Sequence, residues 1–164
     1  MDPQTVPIID PNQQNIQNPI NNSGIANAMT SQNPSNLLKK KILVVEDETF
    51  LSSLMQLKLE QEGFEVQKAM DGEEAFTILE SFQPDLILLD LILPKRNGFE
   101  LLELIRKDPR FIKIPVIITS NLGQDGDIER GKTFGIIEYI VKSRLSIEEL
   151  INKVKTEVKR IAAI

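Results

Sequence analysis

Cysteine and histidine are both absent from the 164 residues of this chain. Without cysteine the chain cannot form a disulfide, a thiol nucleophile or a thiolate metal site. Without histidine it also lacks the base of a serine–histidine–aspartate triad and the imidazole ligands of most zinc sites. Any chemistry must therefore depend on carboxylates, hydroxyls, lysines and backbone groups, and oxygen-rich sites of that kind suit hard cations such as Mg²⁺.

Excess positive charge and long apolar runs are missing as well. The net charge is −5 and the pI is near 4.9, and because non-specific nucleic-acid binding relies on a basic surface, we expect no DNA partner. No apolar run reaches the roughly 18 residues that a membrane span requires, and the N-terminus lacks the pattern of a secretory signal. The sequence therefore predicts a cytoplasmic protein with no membrane partner.

The chain divides into two segments of unlike composition. Residues 1–36 are rich in Asn, Gln, Pro and Ser, and their only charged side chains are Asp2 and Asp10. Such a composition cannot bury enough apolar surface to offset the entropy lost on ordering. We predict a disordered tail over residues 1–36, serving either as a passive extension or as a tether for a partner, and one folded domain over residues 37–164.

Apolar strand patterns and amphipathic helix patterns alternate five times in the second segment. The predicted strands cover residues 42–45, 64–68, 86–89, 115–119 and 137–141. The predicted helices begin near Thr49, Asp71, Asn97, Gln124 and Ser146. Asn97-Gly98 can cap the third helix, and Ser146 followed by Glu149 is a capping box for the fifth. In the first helix, the residues predicted to face the core are Leu51, Leu54, Met55 and Leu57. Alternation of this kind indicates an α/β fold with a parallel sheet covered by helices on both faces. Right-handed crossovers leave few topologies, and we predict the doubly wound strand order 2-1-3-4-5.

Polar side chains follow four of the predicted strands. They are Glu46 and Asp47 after strand 1, Asp90 after strand 3, Ser120 after strand 4 and Lys142 after strand 5. In sheets of this order, ligands bind outside the carboxyl ends of the strands, where strands 1 and 3 diverge. Asp90 is the hardest of the five to explain by packing, because it lies between two apolar runs. The sequence therefore predicts a polar site at this edge.

Closely spaced carboxylates at that edge require a cation, because like charges raise one another's pKa. Mg²⁺ or Mn²⁺ would satisfy them, and a carboxylate beside the metal can act as a nucleophile and form an aspartyl-phosphate. Lys142 would neutralise one phosphoryl oxygen and Ser120 would donate a hydrogen bond to another. Each residue alone has a plainer explanation, with Asp47 as a helix cap, Lys142 as a solvated lysine and Ser120 as a loop residue. Their joint placement favours a site.

These segments resemble the receiver domains of two-component response regulators, and the resemblance covers about residues 40–164. It rests on Glu46-Asp47 after ILVV, Asp90 in DLILPKRNG, Ser120 in PVIITS, and Tyr139 and Lys142 in FGIIEYIVKS. It implies a flavodoxin-like fold and a phosphorelay protein rather than an enzyme. By the same resemblance, Asp90 accepts phosphate from a histidine kinase or a histidine phosphotransfer protein.

The resemblance also implies roles for the residues around Asp90. Glu46, Asp47, Asp90 and the backbone carbonyl of Ile92 would hold Mg²⁺. Ser120 and Tyr139 would couple phosphorylation to the face formed by helix 4, strand 5 and helix 5. That face would bind an unknown downstream protein or a second phosphorylated copy of the chain. Because no effector domain follows helix 5 in this sequence, we expect a stand-alone module.

Two other classes of protein remain as alternatives. One is a pseudo-receiver, an interaction module that no longer takes phosphate, against which the complete set of acidic, hydroxyl and lysine residues argues. The other is a Mg²⁺-dependent phosphohydrolase with an aspartyl nucleophile. Such enzymes place a second aspartate two residues after the first as acid and base. The residue at that position here is Ile92, which argues against turnover.

Several residues depart from the receiver pattern. Ser143 replaces the proline that usually follows the active-site lysine, so the bond before it is either trans or a costly cis bond. Ile92 and Leu122 place apolar side chains beside the site, and we expect them to hinder the attacking water and prolong the life of the phosphorylated state. Gly126 and Gly131 each cost about 1 kcal/mol in a helix, which predicts a marginal, mobile helix 4.

Overall fold

A five-stranded parallel sheet forms the centre of the fold in a computed structural model that describes residues 39–163. The strands are β1 (Lys41–Val45), β2 (Glu65–Ala69), β3 (Leu86–Leu89), β4 (Val116–Ser120) and β5 (Glu138–Val141). Their order in the sheet is β2-β1-β3-β4-β5, and every neighbouring pair is parallel. This confirms the predicted fold class and strand order.

Helices cover both faces of the sheet. They are α1 (Thr49–Gln61), α2 (Gly72–Phe82), α3 (Gly98–Lys107), α4 (Asp125–Thr133) and α5 (Ile147–Ala162), with a 3₁₀ turn at Lys142–Arg144 before α5. Alternate residues of each strand point to opposite faces. One buried cluster joins the sheet to α2 and α3, and a second joins it to α1 and α5. The central strands β1, β3 and β4 are thus buried on both sides, as their continuous apolar runs predict.

The helix ends follow the turn chemistry of the sequence. Asn97 and Ser146 each form a capping box with the glutamate three residues later, at the starts of α3 and α5. Asp71 caps α2 through its side chain, which accepts hydrogen bonds from two backbone N–H groups. Gly63, with φ of 92°, follows the end of α1 in the left-handed conformation that favours glycine.

Two details of the sequence interpretation are corrected. Several elements begin or end one residue away from the predicted positions, and β4 extends to include Ser120. Leu57, which we expected to face the core with Met55, is 52% exposed. Residues two positions apart on a helix are rotated by about 200°. Leu57 therefore cannot share the inward face of Met55 and Leu59, which are fully buried.

The predicted disordered tail over residues 1–36 lies outside the described residues. Within residues 39–163, no helix is both long enough and apolar enough to cross a bilayer.

Candidate functional site

The register of the sheet brings the predicted site residues to one edge. Near the carboxyl ends of β1, β3, β4 and β5, four residues lie side by side across the sheet, and they are Val45, Leu89, Ile118 and Tyr139. Glu46 and Asp90 directly follow the first two of these residues, and Ser120 and Lys142 follow the other two by a few positions. All of them therefore emerge at the carboxyl edge of the sheet, where the strand order reverses between β1 and β3.

Lys142 lies at the centre of this group. Its Nζ is 2.6 Å from Asp90 Oδ2 and 2.7 Å from Glu46 Oε2. The Lys142 side chain is only 12% exposed and the two carboxylates are less so, which rules out a solvated surface lysine. Burial lowers the pKa of Lys142, but hydrogen bonds to Asp90 and Glu46, together with their charges, outweigh burial and raise it. The side chain is thus a fixed positive charge at neutral pH.

Glu46 is a buried carboxylate whose charge is only partly compensated. Burial raises its pKa, the hydrogen bond and charge of Lys142 oppose the rise without cancelling it, and the negative charge of Asp90 adds to it. The second oxygen of Glu46 has only a long contact of 3.4 Å with the backbone N–H of Glu48. This carboxylate would therefore gain from a further cation.

Glu46, Asp47 and Asp90 form a carboxylate cluster in which one oxygen of each lies within 4.8 Å of the others. Lys142 pairs with two of the three carboxylates and supplies one positive charge. The cluster therefore keeps a net charge of −2 when all three carboxylates are ionised. That charge and the all-oxygen donor set fit a divalent hard cation such as Mg²⁺. Asp47 is exposed and does not cap α1, because the N-cap position belongs to Glu48.

Ser120 and Tyr139 form a second polar group behind the cluster. Ser120 ends β4, is fully buried, and its Oγ accepts a hydrogen bond from the Leu122 N–H at 3.3 Å, so it is not a loop residue. The Tyr139 hydroxyl donates to the Leu122 carbonyl at 2.7 Å. Burial, followed by the charges of Asp127 and Asp90, raises the pKa of Tyr139 to about 12, against the effect of a hydrogen bond with Ser120.

Gly131 of α4 packs directly behind Tyr139. A Cβ at Gly131 would lie 3.0 Å from Cδ1 of Ile118 and 3.2 Å from Cδ2 of Tyr139. From the sequence, this glycine is predicted only to weaken helix 4. In the structure it also permits the close approach between α4 and β5.

The loop after β3, residues 90–97, holds Asp90 in place from both of its ends. Asp90 Oδ1 accepts a hydrogen bond from the Ile92 N–H at 3.1 Å. At the far end, a Cβ at Gly98 would collide with the Asp90 carbonyl oxygen, and the Gly98 N–H donates to the Leu91 carbonyl at 3.0 Å. The sequence predicts Gly98 only as part of a helix start, and the glycine at the first position of α3 is the one signal of this close approach.

The departures from the receiver pattern have clear positions in the structure. The peptide bond between Lys142 and Ser143 is trans, and the 3₁₀ turn at Lys142–Arg144 occupies the place of the usual proline turn. Ile92 is 53% exposed beside Asp90, and Leu122 is half-buried. The apolar rim expected from the sequence is therefore present, while its effect on water stays a prediction.

Comparison with known proteins identifies the family. A family model described as the response regulator receiver domain matches residues 42–155. The chain belongs to this receiver domain family. It is 37% identical over 120 residues to the DNA-binding dual master transcriptional regulator RpaA of Synechocystis, a match that covers 73% of this chain and 49% of RpaA. It is 40% identical over 120 residues to the phosphate regulon transcriptional regulatory protein PhoB of Rhizobium meliloti, covering 73% and 52% of the two chains.

Solved receiver domains have the same fold. The receiver domain of the Francisella response regulator 1452 superposes with a TM-score of 0.67 at 33% identity, covering 74% of this chain and 98% of that chain. The non-phosphorylated receiver domain of HemR from Leptospira biflexa superposes with a TM-score of 0.68 at 30% identity, covering 73% and 94%. The resemblance inferred from the motifs is thereby confirmed.

The receiver domain spans about half the length of the curated relatives it matches. Their names do not support our expectation that DNA is not a partner, because RpaA is named as DNA-binding and PhoB as a transcriptional regulatory protein. The negative net charge of this chain argues only against DNA binding by the surface of this chain itself. The expectation of a stand-alone module stays a prediction.

Proposed function

We propose that this receiver domain is a phosphorylation switch in which Asp90 accepts a phosphoryl group from a histidine kinase or a histidine phosphotransfer protein. The observation that carries this proposal is the pairing of Asp90 with Lys142 at 2.6 Å beside two further carboxylates. A nucleophilic carboxylate, a fixed ammonium and an oxygen-rich cation site are the parts that phosphoryl transfer requires. The domain would work in the cytoplasm and would assist its own phosphorylation without being an enzyme.

Glu46, Asp47, Asp90 and the backbone carbonyl of Ile92 would hold Mg²⁺ in this proposal. The bound ion would neutralise charge on the transferring phosphoryl oxygens. The fit is supported by the uncompensated double charge of the cluster and by the raised pKa of Glu46. Both features indicate that the ionised form of the cluster is unfavourable without a further cation.

The transfer itself is a single displacement at phosphorus. A carboxylate oxygen of Asp90 forms the new oxygen–phosphorus bond as the bond between phosphorus and the donor imidazole nitrogen breaks. The electron pair of the broken bond stays on that nitrogen, and because the other ring nitrogen of the donor carries a proton, the imidazole leaves as the neutral ring. Lys142 already lies against Asp90, so its ammonium can neutralise a phosphoryl oxygen without moving far.

Ser120 and Tyr139 would transmit the change to the surface of α4, β5 and α5. The support is that both side chains contact the same residue, Leu122, at the start of the β4–α4 connection. A phosphoryl oxygen on Asp90 would accept a hydrogen bond from the Ser120 hydroxyl and draw its Oγ away from the Leu122 N–H, which donates to it at 3.3 Å. Rearrangement of that connection would then alter the face offered to a downstream protein or to a second copy of the chain.

The decisive experiment incubates the full chain with Mg²⁺ and acetyl phosphate or phosphoramidate, followed by intact mass measurement. We expect one phosphoryl adduct in the wild type and none in Asp90→Asn. Asp125→Asn removes an exposed carboxylate from α4 and should leave the adduct in place. Absence of an adduct in the wild type would instead favour the pseudo-receiver.

A further inference from the structure

The loop that carries Asp90 is tied to a neighbouring helix by an ion pair outside the acidic cluster. Lys95 Nζ lies 2.6 Å from Asp71 Oδ2, and the Asp71 side chain is only 8% exposed. The other oxygen of Asp71 accepts hydrogen bonds from the N–H groups of Glu73 and Glu74, both at 2.9 Å. One aspartate therefore caps α2 and holds the β3–α3 loop at the same time.

Lys95 adopts a backbone conformation that a lysine seldom takes. Its φ is +59°, and the N–H of Arg96 donates to the carbonyl of Pro94 at 2.6 Å across it. A three-residue turn with positive φ at its centre is rare and strained. Strain of this kind persists only where the surrounding structure fixes it, and the ion pair to Asp71 is the contact that fixes the side chain of Lys95.

A close backbone approach reinforces the same connection. A Cβ at Gly72 would lie 2.6 Å from the carbonyl oxygen of Arg96, so this loop rests directly on the first turn of α2. The side chain of Asp71 holds Lys95, and the backbone of Gly72 receives Arg96. The loop is thus attached to α2 at two consecutive residues.

We propose that Lys95 is a positioning residue for Mg²⁺ binding, because its ion pair with Asp71 fixes the loop that presents the Ile92 carbonyl and the Asp90 carboxylate. This inference rests on the proposed function and deepens it. The ion-pair partner of Lys95 is Asp71 and not a member of the carboxylate cluster, so Lys95 acts through the loop. The pKa of Asp71 is lowered, chiefly by its hydrogen bond with Lys95, so the pair remains charged at neutral pH.

The direction in which Mg²⁺ affinity changes distinguishes a positioning role from a purely electrostatic one. Removal of a positive charge near a cation site strengthens cation binding by Coulomb's law, and removal of a negative charge weakens it. If Lys95 and Asp71 act only through their charges, Lys95→Gly should bind Mg²⁺ more tightly and Asp71→Asn more weakly. If the pair positions the loop, both variants should bind Mg²⁺ more weakly.

The test measures the Mg²⁺ dissociation constant of the full chain by calorimetric titration and by the amide shifts of Ile92 in NMR spectra. Lys95→Gly removes the ion pair while relieving the positive φ, and Asp71→Asn retains a good helix-capping residue. We expect both dissociation constants to rise by about tenfold, the lower end of what partners of metal ligands contribute. The dissociation constant of the double variant should be no higher than that of either single variant, because both substitutions break the same ion pair.

Two controls make the comparison sharp. Lys95→Arg keeps the charge and should remain within about twofold of the wild type. Lys107→Ala removes a lysine of similar exposure from the surface pair with Glu103 on α3 and should leave the dissociation constant unchanged. Thermal melting of each variant shows that it is folded before its binding is interpreted.

Unchanged or tighter Mg²⁺ binding in Lys95→Gly would overturn the inference. It would also be overturned if the fold-increase in the dissociation constant of the double variant equalled the product of the two single fold-increases. The wild-type phosphorylation experiment decides the proposed function independently of these ratios. A wild type that takes phosphate with Mg²⁺ and variants that bind Mg²⁺ normally would refute only the positioning role. A wild type that binds no Mg²⁺ would overturn both.

Discussion

The loop around Asp90 and the helix α4 are held in very different ways. The loop is fixed by Lys142, by the close approach of Gly98 and by the ion pair from Lys95 to Asp71. By contrast, α4 has no side-chain cap and buries only Gly131 among its nine residues. A rigid site beside a loosely attached helix suits a switch, because a small change at the site can then shift the helix between nearby states.

The attachments of α4 are concentrated at its C-terminal half. Arg106 donates hydrogen bonds through Nε to the carbonyl of Phe134 at 2.7 Å and through its terminal nitrogen to the carbonyls of Ile112 and Ile114. The Arg130 guanidinium stacks over Phe99 at 4.0 Å. The N-terminal half, with Asp125 and Gly126, has no comparable contacts among the described residues. Movement of α4 should therefore begin at the end nearest Leu122.

The largest expected effect comes from removing the charge at the centre of the rigid region. Lys142→Met leaves Glu46 and Asp90 as buried carboxylates with no ammonium between them. Because breaking a buried ion pair leaves unpaired charge, we expect unfolding free energy in chelator to fall by about 3 kcal/mol. Urea unfolding measures this value, and Mg²⁺ should restore part of the loss.

Lys153→Met is the matched control, since it breaks a more exposed pair with Glu138, in which the two side chains are 43% and 26% exposed, and it should cost about 1 kcal/mol or less. Equal losses in the two variants would contradict the buried-charge explanation.

A smaller effect is expected at the boundary between the two regions, where Ile92 and Leu122 flank the site. Ile92→Asn should admit water and shorten the lifetime of the phosphorylated state by about tenfold, an effect of about 1.4 kcal/mol on the barrier. Leu122→Asn should have less effect, because Leu122 belongs to the looser β4–α4 connection. Decay of the phosphoryl adduct, followed by intact mass, measures both. A wild-type half-life of seconds would refute the shielding role.

The smallest effect concerns α4 itself. The Cβ of Gly126→Ala would meet nothing within 4 Å, and because Gly126 lies in the first turn of α4 we expect a stabilisation below the roughly 1 kcal/mol of a helix interior. The Cβ of Gly131→Ala would press on Ile118 and Tyr139, and we expect no net gain. Hydrogen exchange should show weaker protection in α4 than in α5 of the unphosphorylated wild type. Equal protection in the two helices would contradict the marginal α4.

The sequence predicted the local parts of this molecule well. The alternation of strand and helix, the caps at Asn97 and Ser146 and the acidic residue after β3 all depend on nearby residues, so their patterns are visible in one dimension. Leu57 is an exception, since it is predicted to face the core and is 52% exposed. The sequence shows that a helix is amphipathic more reliably than it shows which apolar residues face inward. The strand order followed from general rules of chain crossing rather than from any single residue.

Tertiary structure alone decided how the site is assembled. Lys142 meets partners 52 and 96 positions away, and the hydroxyl of Tyr139 reaches the carbonyl of Leu122 across the end of the sheet. Nothing in the sequence distinguishes Lys95 from other loop lysines, and only the fold places it against Asp71. The sequence by itself determined the fold and which residue types reach the sheet edge, since these depend on periodicity. The pairing between them depends on loop paths and distances, and only the folded chain sets those.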